Sequence, residues 1–384
     1  MEQFDEIVNF IRTLYRRTEG VIHLHEPFFG GNEKKYIEEC INSTFVSSVG
    51  KFVNRFEEEI ARYTSVPRSV VCVNGTNALH LALLLSGVKS EDEVITQPLT
   101  FIATANAIKY CGAHPIFLDV EEETLGLSPS ALLSFLETQT DQNSEGCFNK
   151  ITKRRITACV PMHTFGIPCK IDRIVTICRD FRIEVVEDAA ESLGSFYRGQ
   201  HTGTFGKIGV LSFNGNKIIT SGGGGMLLFN DEALANRAKH LTTQAKIQHQ
   251  WEFVHDEVGY NYRMPNINAA LGLAQLEQLE FFLKSKRRIA FEYQRFFTTQ
   301  GIHFIQEPSD CLSNYWLNCI LLNDKDQRDE FLKYTNNKDI MTRPAWRLMN
   351  ELPMFKDCIT DKLANAKSIS DTLVNLPSSV IDEK

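Results

Sequence analysis

The sequence lacks several features that mark common classes of protein. Its 384 residues contain no uninterrupted apolar run of about 18 residues, the length needed to span a membrane. The start, MEQFDEIVNF, is acidic and has no apolar core followed by a cleavage site, so we do not expect a signal peptide. The ten cysteines are scattered and form no C-x-x-C pair, so neither a disulfide framework nor a metal site is expected. We therefore expect a cytoplasmic protein with reduced thiols.

Two further absences exclude particular ligands. Lysine and arginine (41) are fewer than aspartate and glutamate (48), so the chain has no basic surplus for binding nucleic acid. No G-x-G-x-x-G follows the first predicted strand, where the sequence is NGTNAL, and this disfavours a dinucleotide-binding oxidoreductase. The remaining composition, 43% hydrophobic and 23% charged, is that of an ordinary globular protein. A chain of this length can form one large domain and a smaller one.

Strands alternate with helices between about residues 70 and 187, which predicts a mostly parallel sheet with helices on both faces. The first of these strands, residues 70–73, ends in Asn74-Gly75-Thr76-Asn77 before a helical run. A strand, a glycine turn, a hydroxyl residue and a helix start direct backbone N–H groups and the helix dipole at a phosphate. Thr76 would equally well cap a helix with no ligand. Gly75, Thr76 and Asn77 are candidate phosphate contacts.

The stretch from residue 183 to residue 225 contains a lysine and an acidic strand end. The β-branched residues Ile183, Val185 and Val186 predict a buried strand, which ends at Asp188. A second apolar strand leads into Ser212, followed by Lys217 and four consecutive glycines, residues 222–225. A lysine held in a turn between glycine-rich backbone and an acidic strand end suits a Schiff-base lysine. Asp188 would then be the anion that keeps a pyridine nitrogen protonated.

The motifs EDAAES and SFNGNK with the glycine run resemble those of the DegT/DnrJ/EryC1/StrS family of pyridoxal-phosphate (PLP) sugar aminotransferases. The resemblance runs from about residue 25 to the C-terminus. It implies an α/β protein with the PLP-dependent transferase fold type I, aspartate aminotransferase-like, with a mostly parallel sheet flanked by helices and a smaller C-terminal α+β domain. We expect the large PLP-binding domain at residues 20–250, the small domain at residues 251–384, and an N-terminal helix, residues 4–18, packed on the body.

The resemblance also implies roles for individual residues. Lys217 and Asp188 would be catalytic, the first as the Schiff-base lysine and the second beside the pyridine nitrogen. Further cofactor contacts are implied at Gly75, Thr76, Asn77, Phe101, Ala190, Glu191, Ser212 and Asn261. Asn261 would reach the cofactor of the neighbouring subunit, so we expect a homodimer with composite sites. Substrate contacts are expected from Ser48, Lys51, His163, Glu191, Arg263 and Trp346, with Arg343 and Arg347 as candidates at the rim.

Within the family, the sequence resembles enzymes that aminate C4 of UDP-4-keto sugars on the route to legionaminic acid and related bacterial surface sugars. We therefore predict amino transfer from L-glutamate to a UDP-2-acetamido-2,6-dideoxy-4-keto-hexose, of the legionaminic acid or bacillosamine type. An aminotransferase for a GDP-4-keto or dTDP-3-keto sugar is an alternative that only pocket residues distinguish. A dehydratase of the family would have histidine at the position of Lys217. A non-catalytic PLP-binding regulator is disfavoured because no basic DNA-binding region is present.

Overall fold

A computed structural model describes residues 2–382. Within this range no helix combines the length and the apolar character that crossing a membrane requires. The α-helices are α1 (Glu2–Leu14), α2 (Glu33–Ser43), α3 (Lys51–Thr64), α4 (Gly75–Leu85), α5 (Ile102–Tyr110), α6 (Pro129–Gln139), α7 (Ile171–Asp180), α8 (Glu232–Thr242), α9 (Asn266–Leu276), α10 (Leu279–Gln300), α11 (Lys325–Asn337) and α12 (Ala364–Thr372).

The strands are mostly short. They are β1 (Arg68–Cys72), β2 (Glu93–Thr96), β3 (His114–Phe117), β4 (Thr140–Asn143), β5 (Gly146–Asn149), β6 (Arg155–Val160), β7 (Glu184–Asp188), β8 (Phe196–Tyr197), β9 (Gln200–His201), β10 (Ile208–Ser212), β11 (Gly225–Phe229), β12 (Lys246–Ile247), β13 (Val254–His255), β14 (His303–Phe304), β15 (Cys311–Leu312), β16 (Asn318–Leu321), β17 (Arg343–Pro344), β18 (Ile359–Thr360) and β19 (Leu373–Leu376).

The main sheet has the strand order β1-β11-β10-β7-β6-β2-β3-β18. Its neighbours pair in parallel from β10 through to β18, whereas β11 runs antiparallel to both β1 and β10. The polar stretch 138–150 forms the β4–β5 hairpin, in which β5 pairs with β6. The carboxyl ends of β1, β2, β6, β7 and β10 therefore lie along one edge of the sheet, where ligands bind in such folds.

Helices cover both faces of this sheet. On one face α3 and α9 pack against it in a core that includes Phe56 and Leu273, and on the other face α4 and α8 pack with Leu81 and Ala238. The strands are buried on both faces. Their residues accordingly form nearly continuous apolar runs and do not alternate with polar residues. These features confirm the predicted α/β class with a mostly parallel sheet.

A second, four-stranded sheet has the order β14-β16-β19-β17. Its core includes Tyr293 and Phe331, and the apolar face of α1 packs into the same cluster. The N-terminal helix ends at Leu14 and not at residue 18, since Arg16 has the left-handed backbone conformation, with a φ of 52°. The chain after Pro265 forms two consecutive helices, α9 and α10.

Two elements beyond residue 250 belong with the main sheet. Helix α9 packs with α2 and α3, and β18 pairs in parallel with β3. The division at residues 250 and 251 stays a prediction, and residues 383–384 of the predicted small domain lie outside the described part of the chain.

Candidate active site

A cavity of about 300 Å³ lies at the carboxyl edge of the main sheet. It is closed by side chains that follow β1, β7 and β10 and by residues of the C-terminal region. Of the residues singled out from the sequence, those that line it are Gly75, Thr76, Phe101, Asp188, Ala190, Glu191, Ser212, Lys217 and Trp346. The structure thus brings together both predicted catalytic residues and most of the predicted cofactor contacts.

One wall of the cavity is the N-terminus of α4. Asn74, and not Thr76, caps this helix, and its Oδ1 accepts the N–H of Asn77 at 2.8 Å. The Thr76 hydroxyl and the N–H groups of Gly75 and Thr76 have no acceptor among the described residues. A Cβ on Gly75 would lie 3.0 Å from the Cβ of Ser212, so glycine lets the end of β10 approach the helix. Unbonded donors at a helix N-terminus form a cradle for a phosphate.

Asp188 is buried at the end of β7 and is held in place by two donors. Its Oδ2 accepts the Thr104 hydroxyl at 2.6 Å, and its Oδ1 accepts the N–H of Ala190 at 3.2 Å. The Thr104 hydroxyl also forms a 2.8 Å hydrogen bond with that of Thr100, one helical turn earlier. Burial raises the pKa of Asp188 and the Thr104 hydroxyl opposes this shift. The carboxylate is therefore oriented before any ligand binds.

Lys217 lies in a turn whose backbone is fixed by distant residues. Its Nζ is 3.0 Å from Oε1 of Glu191 and 4.2 Å from the centroid of the Trp316 ring, and its side chain is 11% exposed. The Lys217 N–H donates to the carbonyl of Asn214, and the Trp316 Nε1–H donates to the carbonyl of Asn216 at 2.6 Å. A tryptophan 100 positions away thus holds both the turn and the amine.

Glu191 is 2% exposed and uses both carboxylate oxygens. Oε1 pairs with Lys217, and Oε2 accepts the N–H of Phe165 at 3.0 Å. Phe165 has the left-handed conformation, with a φ of 55°, which costs a non-glycine residue about 1–3 kcal/mol. Burial raises the pKa of Glu191 to about 7, against the opposing effect of Lys217. Glu191 therefore changes its protonation state near neutral pH.

Several predicted site residues lie outside the lining of this cavity. His163, expected to contact substrate, is fully buried, and its Nε2 lies 3.1 Å from Oε2 of Glu187. Its Nδ1 accepts the backbone N–H of Cys169, so the proton is on Nε2 and the ring orients the ends of β6 and β7. Arg263, expected to bind an anion, is also buried and pairs with Glu57 at 3.0 Å.

Ser48, Lys51 and Asn261 lie further along the surface of the chain, whereas Asn77 lies in the first turn of α4 but does not line the cavity. Lys51 pairs with Glu39 at 2.5 Å, and Ser48 lies in the loop before α3. Asn261 is exposed and forms a β-bridge with Thr243. None of the three lines the cavity within its own chain. Their predicted roles would need a second subunit or a bound substrate.

Sequence reasoning missed three groups at the site. Thr104 follows Thr100 by four residues, and that helical spacing is the one local signal for the hydroxyl pair beside Asp188. Asn74 precedes Gly75 and has the residue type of a helix cap. Trp316 has no signal in the sequence, because its role depends on how the C-terminal region folds back onto the turn of Lys217.

The lining residues fit pyridoxal phosphate. The free donors of α4 with the Ser212 hydroxyl suit its phosphate, the Asp188 carboxylate suits its ring nitrogen, and the Lys217 amine suits its aldehyde. Phe101, 49% exposed, and the small Ala190 line the space between them. Glycine is required around the lysine turn, since a Cβ on Gly224 would lie 2.3 Å from Oγ of Ser221.

The buried carboxyl of Glu191 predicts a pH-dependent stability in the cofactor-free protein. Its pKa is about 7 in the folded chain against 4.5 for an ordinary glutamate, so between these values the folded state binds more protons than the unfolded state. The stability contribution of Glu191 therefore falls as pH rises through this window, by up to about 3 kcal/mol. Glu191→Gln keeps an acceptor for Phe165 and should gain stability relative to the wild type from pH 5 to pH 8, measured by urea unfolding.

Glu39→Gln is the matched control for this experiment, because Glu39 is a partly exposed glutamate whose pKa is lowered by Lys51. This variant is not expected to gain stability with rising pH. An equal stability difference between wild type and Glu191→Gln at both pH values would contradict the assignment.

Comparison with known proteins places the chain in a family. The sequence profile of the DegT/DnrJ/EryC1/StrS aminotransferase family matches residues 28–381. The chain is 39% identical over 358 residues to a GDP-perosamine synthase of Escherichia coli O157:H7, covering 93% of each, and 36% identical over 362 residues to one of Vibrio cholerae, covering 93% of this chain and 94% of that one. The solved structure of the aminotransferase TlmJ from Streptoalloteichus hindustanus superposes with a TM-score of 0.84 at 27% identity, covering 94% of each chain. The chain belongs to the DegT/DnrJ/EryC1/StrS aminotransferase family and is a pyridoxal-phosphate-dependent sugar aminotransferase.

Proposed function

We propose that this enzyme transfers the amino group of L-glutamate to C4 of a nucleotide-linked 4-keto-6-deoxy sugar. The observation that carries the proposal is that one cavity is lined by the Lys217 amine, the Asp188 carboxylate and the unbonded donors of α4. An amine, a buried anion and a phosphate cradle are the groups that amino transfer with pyridoxal phosphate requires.

When bound, the cofactor supplies the electron sink that no side chain provides. Asp188, fixed by Thr104, holds the proton on the pyridine nitrogen, because a close opposite charge stabilises the protonated form by about 1–3 pKa units. The Nζ of Lys217 takes the proton from Cα of the amino donor once it is free to act as a base. Trp316, over which this amine lies, fixes its position.

The Glu191 carboxyl is the proton partner of Lys217 in the absence of cofactor. The two groups are 3.0 Å apart and both are shielded from water, so a proton can pass between them without bulk solvent. A carboxyl with a pKa of about 7 accepts that proton at neutral pH more readily than an exposed one. Glu191 thus supplies a route by which the ammonium of Lys217 becomes a neutral amine.

The sequence prediction named UDP as the nucleotide of the sugar substrate. Two similar proteins are GDP-perosamine synthases, named for a GDP-linked amino sugar, and they match nearly the full length of this chain. We therefore propose a GDP-linked keto sugar as the first candidate substrate. The UDP-linked N-acetyl sugar predicted from the sequence is the comparison against which it is tested.

We further propose that the active enzyme is a homodimer in which Asn261 serves the neighbouring site. Asn261 is exposed and does not line the cavity of its own chain. The hairpin β12–β13 and its flanks precede it and expose large apolar side chains, with Trp251 72%, Phe253 81% and Val258 83% exposed. Apolar residues this exposed in a short segment are typical of a protein interface.

The first prediction concerns Lys217. Lys217→Ala should abolish amino transfer and the visible absorbance of bound pyridoxal phosphate, since no other described lysine lines the cavity. Absorbance spectroscopy and an activity assay measure both effects. Lys207→Ala is the control, because Lys207 is a partly exposed lysine that pairs with Glu184 outside the site. Full activity of Lys217→Ala would refute the proposed function.

The second prediction concerns the acceptor sugar. The enzyme loaded with an amino group from glutamate should aminate GDP- or UDP-linked 4-keto-6-deoxy sugars, with the GDP-linked compound giving the higher kcat/KM. Single-turnover assays with each compound, followed by mass spectrometry of the product, measure this preference. A preference for the UDP-linked sugar would overturn the nucleotide assignment, and inertness toward all keto sugars would overturn the function.

The third prediction tests the composite site by subunit mixing. Asn261→Ala should retain pyridoxal phosphate less well, and Lys217→Ala should be inactive. A heterodimer of the two variants contains one site with both native residues, so random mixing should restore about a quarter of the wild-type activity. Activity is measured at a cofactor concentration that leaves Asn261→Ala largely empty. If mixing restores no activity, Asn261 does not act across the interface.

A further inference from the structure

A second cavity, of about 480 Å³, adjoins the catalytic cavity. The two share three wall residues, Asn216, Trp316 and Trp346. Asn216 directly precedes Lys217, and the Lys217 amine lies over the ring of Trp316. A ligand in the second cavity therefore lies next to the reacting amine without occupying the phosphate cradle of α4. The catalytic cavity, of about 300 Å³, has to hold the cofactor, so a sugar nucleotide needs neighbouring space.

The second cavity has an uncompensated positive charge. Among the described residues that line it, Arg343 is the one arginine or lysine, and no aspartate or glutamate is present. The Nη1 of Arg343 donates to Oδ1 of Asn336 at 2.7 Å and to the carbonyl of Thr342 at 2.8 Å, and both acceptors are neutral. No aspartate or glutamate of residues 2–381 forms an ion pair with Arg343, and its hydrogen bonds go to these two neutral acceptors. The guanidinium is exposed and retains donors for an anion.

The rest of the lining is mainly apolar and aromatic. The ring of Trp346 packs against that of Phe165 at a tilt of 34°, with centroids 4.8 Å apart, and the Phe165 and Trp316 ring centroids are 6.4 Å apart. His25 adds no charge, because burial, with Lys286 and Lys217 nearby, holds its pKa well below 6.5. Aromatic walls with one or two placed polar groups are typical of sites for small organic ligands.

We propose that this second cavity is the subsite for the diphosphate-linked part of the sugar nucleotide, with Arg343 binding the diphosphate. This inference rests on the proposed function and names a specificity residue for it. The planar guanidinium presents paired donors that match phosphate oxygens. The sugar then extends past Trp316 and Trp346 toward Lys217, which places the keto carbon at the amine.

An anionic oxygen at Arg343 has a second source, a carboxylate of the amino donor. The geometry favours the diphosphate, since Arg343 lines the second cavity and not the catalytic one. Glutamate is short and its Cα has to lie at Lys217, whereas the diphosphate of a sugar nucleotide is separated from its keto carbon by the width of a sugar ring. The farther cavity therefore matches the longer ligand.

The experiment compares Arg343→Ala and Arg343→Lys with Arg179→Ala in the enzyme loaded with cofactor. Arg179 is the control, because it is an exposed arginine of α7 that lies beside Asp180 and lines neither cavity. Calorimetry gives the Kd of GDP and UDP, and kinetics give KM for the keto sugar and the rate of the half-reaction with glutamate. Arg343→Ala should raise the Kd and KM about tenfold or more, and Arg343→Lys should raise them less.

The glutamate half-reaction should be unchanged in all three variants, which also shows that each variant is folded and loaded. If Arg343→Ala and Arg343→Lys leave the Kd and KM at wild-type values, the subsite is overturned. A slower glutamate half-reaction in the Arg343 variants, with unchanged nucleotide binding, would show that the arginine binds the amino donor. That result would also overturn the diphosphate subsite. Failure of the wild type to aminate any keto sugar would refute the proposed function, while the nucleotide Kd would still report on Arg343.

Discussion

The buried ion pair between Lys217 and Glu191 fixes the position of the reacting amine, and the strength of this pair depends on its burial. Two opposite charges 3.0 Å apart, with side chains 11% and 1% exposed, interact much more strongly than a surface pair. Lys217 and the N–H of Phe165, which a left-handed backbone aims at the carboxylate, offset part of the cost of burying Glu191. The strained backbone of Phe165 thus orients Glu191, the carboxylate beside the Lys217 amine.

The parallel strands explain why these residues meet. Asp188 ends β7 and Ser212 ends β10, while Gly75 follows β1, and these three strands run in the same direction. The antiparallel β11 brings Gly225 to this edge, opposite Ser212 and Cys72. Glycine at position 225 lets β1, β10 and the N-terminus of α4 come close together. The cradle and the carboxylate are therefore consequences of topology and need few contacts between side chains.

The parts of the site that were predictable from the sequence are those fixed by local patterns. The strand before Asp188, the turn of Lys217 and the glycine turn at Gly75 each have signals within a few residues, and the order of strands and helices indicated the sheet. Asn74 was missed as the cap of α4 because Thr76 is also a good capping residue. Trp316 could not be found, since a tryptophan before a short strand is usually a core residue and its hydrogen bond to Asn216 spans 100 positions. Arg263 was misleading for a related reason, as its buried partner Glu57 is distant in sequence.

Strand β18 has a consequence for how the chain folds. Ile359 and Thr360 pair with β3, whose residues precede them by more than two hundred positions. Until a ribosome has made nearly the whole chain, β3 is an open edge with unpaired backbone groups, and such edges promote association between nascent chains. Fragments that end before residue 359 lack β18 and cannot complete the main sheet. Such fragments should be prone to aggregation.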